Sequence, residues 1–156
     1  VSMYEGLRAH ENSKRCTFEY IKGCNVDDKD KSQFEIVLEA AKKADVIILA
    51  IGENKDMSGE ATSRTMIRIP GVQEELLLAL KAIGKPIITV VMNGRPLVLD
   101  KVHDHSNAVL ETWWLGTQAG HAIAEVIYGV LNHYGKLPMM FQRNEGQLPI
   151  FNHEKY

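Results

Sequence analysis

The sequence predicts an α/β fold: a three-layer α/β/α sandwich built around a mainly parallel sheet. Three observations carry this. Val46 to Ile51 is an unbroken apolar run and Pro86 to Met92 is broken only by Thr89, and both are rich in β-branched residues, as strands buried on both faces require. Segments with apolar residues at helical spacing lie before, between and after them. The order strand, helix, strand then recurs along the chain, which is the βαβ alternation of a parallel sheet. At 156 residues, 45% hydrophobic and 24% charged, the chain is long enough to bury a core of its own, and residues 1–156 read as a single domain.

Taken in order, Ser2 to Glu11 carries Met3 and Leu7 at a helical period, and Thr17 to Ile21 alternates like a half-buried strand that ends at Gly23. Ser32 to Lys43 is the next helix, with Phe34, Val37, Leu38 and Ala41 on one face. Ser32 is placed to be its N-cap, and Glu35 to complete a capping box. After the first apolar strand, Pro70 to Ile83 reads as a helix that opens at a proline and stops at Gly84. The second strand follows from Pro86, and a third is expected over Ala108 to Trp113. The chain passes Gly116 into a helix over Gln118 to Leu131 and closes through turns around Gly135 and Pro138. The tail, Leu148 to Phe151, is placed as an antiparallel edge strand.

Charge narrows the function classes. Lys and Arg number 18 against 20 Asp and Glu, a net charge of −2, which argues against binding to nucleic acid or an anionic membrane. The longest apolar run, Val46 to Ile51, is far below the ~20 residues a membrane-spanning helix needs. No basic stretch followed by an apolar one opens the chain, so no signal peptide is expected within it. Cys16 and Cys24 stand eight positions apart without a CxxC pair, so neither a metal nor a cofactor is expected; they read as small hydrophobes, with a disulfide left open.

In open α/β sheets, ligands meet the loops beyond the carboxyl ends of the strands. The loop after Ile51, Gly52 to Thr65, exceeds the ~2 to 6 residues usual for such a connection. It lacks a glycine-rich phosphate motif and carries Glu53, Asp56 and Glu60 where a phosphate cradle needs bare amides. A carboxylate beside an arginine suits proton transfer, and Glu60 with Arg64 is the best candidate, set against the ordinary reading of a solvated loop charge. The second loop, Asn93 to Pro96, offers Arg95 to a carboxylate across the strand ends. In the third, Trp113 is expected in the core, and Trp114 facing the cleft, where an indole stacks well on a sugar ring. His103 and His105 around Asp104 read as an exposed loop.

Two long runs then carry a resemblance. MSGEATSRTMIRIPGVQEELLLALKAIGKPIITVVMNGRPLVL (Met57 to Leu99) and ETWWLGTQAGHAIAEVIYGVLNHYGKLPMMFQRNEGQLPI (Glu111 to Ile150) closely resemble the second, α/β sandwich domain of glycoside hydrolase family 3, in the manner of bacterial β-glucosidases. The resemblance implies a two-domain site in a retaining enzyme acting on terminal β-linked glucosyl residues of β-glucosides or short oligosaccharides. An N-terminal barrel would supply the aspartate nucleophile and this domain the acid/base loop. It assigns Glu60 as acid/base and Arg64 as its orienting partner, and implies a periplasmic or secreted parent. Met66, His133, Tyr134 and Gln142 depart from the family pattern at turns rather than at the Glu60 motif. No barrel or first sandwich strand precedes Val1, so the chain reads as a fragment, inactive alone and prone to self-association through uncovered apolar surface. The competing reading is a flavodoxin-like binding or structural module with no hydrolytic role.

Overall fold

The computed structural model describes residues 1–132 and 135–148. The chain divides into two compact units, one formed by residues 22–113 together with 138–156, the other by residues 1–21 and 114–137.

The larger unit holds the sheet. Strands β1 (Ile47–Gly52), β2 (Ile87–Met92) and β3 (Ala108–Glu111) run parallel in the order β1-β2-β3, with Ile47 opposite Ile87 and Ile88 opposite Ala108. β2, in the middle, is the strand closest to the double burial its sequence predicts: Ile87, Thr89, Val90 and Val91 are fully buried. β1 is less covered than its apolar run suggested, since Ala50 is exposed and Ile47 and Ile48 are half-buried. Three helices belong to this unit: α2 (Phe34–Lys43), α3 (Gln73–Lys81) and α4 (Asp100–His105). α3 turns Gln73, Leu76, Leu77 and Leu80 inward at the i, i+3, i+4, i+7 spacing of a buried stripe. The three leucines join Ile51, Ile87, Val91, Leu97 and Val102 in one apolar cluster. Truncating a side chain as buried as Leu77 costs about 2–5 kcal/mol.

Gln73 also settles where β1 ends. Its side-chain amide accepts from the Gly52 N–H at 2.9 Å and donates to the Gly52 carbonyl at 2.8 Å, to Val26 O at 2.7 Å and to Pro70 O at 3.0 Å. The last residue of the strand is thus satisfied by a side chain rather than by further ladder, and the chain is free to turn away. Gly52 itself sits at φ 146°, where an added Cβ would come within 1.8 Å of Met92 O, so this exit tolerates no side chain.

In the smaller unit, α1 (Met3–Ala9) packs on α5 (Ala119–Ile127), with Leu7, Ile123 and Ala124 buried. A Cβ on Gly6 would lie 2.1 Å from Gly120 O, so this contact depends on two glycines. Tyr128 donates to Leu7 O at 3.0 Å and its ring stacks on His10, 4.6 Å between centroids.

Several expectations are corrected. Thr17 to Ile21 forms no strand, and Tyr20 is 65% exposed. Ser32 does not cap α2: Asp30 takes both its N–H (2.8 Å) and its hydroxyl (3.0 Å), and the helix opens two residues later from a turn between Lys31 and Phe34. The capping box occurs instead at Ser2 and Glu5, at the start of α1. His103, Asp104 and His105 lie on α4 rather than in a loop; the helix is six residues long with Val102 its one apolar position, too little to show a helical period in the sequence. β3 stops at Glu111, and Trp113 is half-buried against Phe141, 5.5 Å between ring centroids, rather than in the core. The edge strand expected over 148–151 falls, apart from Leu148, outside the described residues, as do His133 and Tyr134. Cys16 and Cys24 are free thiols, and no helix among the described residues is long and apolar enough to cross a membrane.

Candidate active site

The carboxyl ends of β1, β2 and β3 bring Glu53, Asn93 and Glu111 to one edge of the sheet. Glu53 follows directly from β1, its N–H bonded to Met92 O at 2.8 Å, and its side chain is fully buried. A lone carboxylate there would cost several kcal/mol in lost hydration. Two donors and a second guanidinium offset that cost: Arg64 Nη1 donates at 2.5 Å, the Gly94 N–H donates at 3.1 Å, and Arg95 Nε stands 3.2 Å away as an ion-pair contact outside hydrogen-bond alignment.

Arg95 does more than pair with Glu53. Its Nη2 donates to Met57 O and, at 2.9 Å, to Thr62 O. These carbonyls are the two feet of the segment that carries Gly59, Glu60 and Ala61. Within it, Thr62 Oγ1 donates to Gly59 O at 2.6 Å, Gly59 sits at φ 135° and Ala61 at φ 59°. A non-glycine residue in the left-handed region costs on the order of 1–2 kcal/mol and persists only where the surroundings impose it. The Glu60 side chain is exposed at the tip, and among the described residues none donates to its carboxylate.

The loop carries Glu60 and Arg64 but does not pair them. The Arg64 guanidinium is engaged by Glu53 and, at 3.4 Å, by Arg68 O. Trp114 belongs to the smaller unit and is 44% exposed. Among the described residues, no group of three or more His, Cys, Asp or Glu side chains is disposed to hold a metal ion.

Sequence reasoning passed over Glu53 and Glu111. In the sequence Glu53 is one of three acids in the loop, and the one feature that sets it apart is its place directly after the apolar run that forms β1. Glu111, at the end of β3, accepts from the Trp113 N–H at 3.0 Å through Oε1, while its buried Oε2 has no partner. Burial pushes its carboxyl from an ordinary 4.5 up to about 7, against the lowering effect of the Trp113 N–H and of Asn93 nearby. Asn93 donates from Nδ2 to Arg95 O at 2.7 Å and leaves its own buried Oδ1 unpartnered.

A parallel α/β sheet whose carboxyl edge clamps a long loop has the architecture of the open α/β domains, which meet their ligands at that edge. The whole chain, residues 1–156, matches the glycosyl hydrolase family 3 C-terminal domain, and the chain belongs to that family. It is 45% identical over 133 residues to the periplasmic β-glucosidase of Salmonella typhimurium, which covers 85% of this chain and 17% of that protein. A β-xylosidase of Formosa agariphila is 39% identical over 150 residues, covering 96% and 21% of the two chains. A crystal structure of a mutant β-glucosidase from Listeria innocua in complex with laminaribiose superposes with a TM-score of 0.89 at 34% identity, over 98% of this chain and 21% of that one. The chain thus spans about a fifth of the length of these relatives.

Proposed function

We propose that this domain forms one wall of the active site of a retaining β-glucosidase-type enzyme and that Glu60 is its acid/base. The observation that carries the reading is the loop itself: a glutamate held out at the tip of a segment tied down at both feet, at the edge of the sheet where α/β domains meet ligands. In such an enzyme the acid/base protonates the departing glycosidic oxygen, then deprotonates the water that releases the sugar from the nucleophile, the two carboxyl groups standing ~5–5.5 Å apart. The nucleophile would come from a barrel preceding this domain in a longer chain, so the domain alone would not turn over. The enzyme's substrates would be β-glucosides or short β-linked oligosaccharides. Arg64 acts through Glu53 to hold the loop, and Trp114, with its exposed indole, is the proposed stacking surface for a sugar. The names of the relatives, β-glucosidase and β-xylosidase, support the substrate class, and the periplasmic relative supports export.

The test is Glu60→Ala in the full-length enzyme that carries this domain. Hydrolysis of substrates with poor leaving groups falls by ~10²- to 10⁴-fold, because they need the proton. A substrate with a good leaving group still forms the glycosyl-enzyme, and azide restores its turnover with a retained glycosyl azide as product. Unchanged hydrolysis of the poor-leaving-group substrate rules Glu60 out.

A further inference from the structure

We propose that Arg95 is the positioning residue of the Glu60 loop, acting as a staple that holds the acid/base in register with the substrate. The inference rests on the reading of Glu60 as acid/base and adds a residue to it. Arg95 comes from the turn after β2, not from the loop it holds, so it ties the loop to a rigid strand end. A single nitrogen, Nη2, reaches Met57 O and Thr62 O, the carbonyls on either side of Gly59, Glu60 and Ala61. The other side of the same guanidinium rests on the buried carboxylate of Glu53, which is itself tied to Arg64 and to the Gly94 N–H.

Each part of this arrangement suits an arginine. The planar fork addresses a carboxylate on one edge and carbonyls on another at once. A lysine offers a single point charge on a flexible stem and reaches one of these partners at a time. The left-handed Ala61 next to Glu60 is a conformation the loop would relax if it were not held. Glu60 itself takes no part in the clamp, so its carboxylate is left available while its backbone is confined. The staple thus fixes the position of the acid/base without engaging its charge, and a misplacement of about 1 Å in such a group is enough to cost ~10²-fold in rate.

The experiment compares Arg95→Lys, Glu60→Gln and the double variant in the full-length enzyme, using aryl glucosides whose leaving groups run from dinitrophenyl to methylphenyl. In kcat/KM, which reports formation of the glycosyl-enzyme, the Arg95→Lys enzyme loses ~10²-fold on the methylphenyl substrate and only a few-fold on the dinitrophenyl one, and the double variant is no slower than Glu60→Gln alone. A loss that is equal across leaving groups, or that adds to that of Glu60→Gln, overturns the proposal while Glu60 keeps its role. If Glu60→Gln itself shows no dependence on the leaving group, the acid/base reading falls and the proposal falls with it. A second measurement needs no activity: glutamyl endopeptidase cleaves the Glu60–Ala61 bond faster in Arg95→Lys than in the parent at matched thermal stability. Equal cleavage rates overturn the staple.

Discussion

Two glutamates follow or end strands at the same edge of the sheet and meet opposite fates. Glu53, just past β1, is fully buried and receives two guanidinium groups and a backbone N–H. Glu111, the last residue of β3, is partly buried, receives one backbone N–H, and leaves an oxygen with no partner. The difference lies in what reaches them. Arg64 and Arg95 arrive from two different loops to meet Glu53, and no cation among the described residues forms an ion pair with Glu111. One site is therefore an electrostatic anchor for the loop above it, and the other is a carboxyl group whose ionisation is opposed by its surroundings.

The largest effect comes from breaking the anchor. Glu53→Ala leaves two largely buried guanidinium groups without their counter-charge and destabilises the chain by about 3–5 kcal/mol, measured as a fall in the urea midpoint. An unchanged midpoint would mean that the arginines find other partners and that the anchor is weak.

Glu111→Gln tests the other half of the contrast and moves the opposite way. Its carboxyl is raised from 4.5 to about 7 in the folded state, so between those values the folded chain holds a proton that the unfolded chain has released. Stability therefore falls as pH rises from about 4.5 through about 7. The glutamine variant lacks this loss. Its melting temperature exceeds the parent's by about 2–4 °C per kcal/mol relieved at pH 8, and the gain shrinks towards pH 5. A difference independent of pH would place the effect elsewhere.

The smallest effect is expected at the loop tip. Ala61→Gly removes the left-handed penalty at φ 59° but gives the unfolded chain more freedom, and the two nearly cancel, leaving a change below about 1 kcal/mol. A larger loss in unfolding free energy would show that the Ala61 methyl makes contacts of its own.

The sequence by itself determined the parts that depend on local pattern. The apolar runs over β1 and β2, the stripe of Leu76, Leu77 and Leu80, and the long loop with Glu60 at its head are all readable from composition and spacing, because burial on a strand or helix imposes a period on the chain. The motifs around Glu60 and Arg95 led to the family for the same reason: they are contiguous. Local competition misled where a neighbour intervened, as when Asp30 took the hydroxyl that Ser32 was expected to give to α2. Only the tertiary structure decided the pairings. Arg64 stands four residues from Glu60 yet binds Glu53, eleven positions back, and Arg95 reaches across 33 positions to Thr62. Such partners are chosen by where parallel strands end side by side and by the cost of leaving a buried carboxylate alone, and neither leaves a mark in the spacing of residues along the chain.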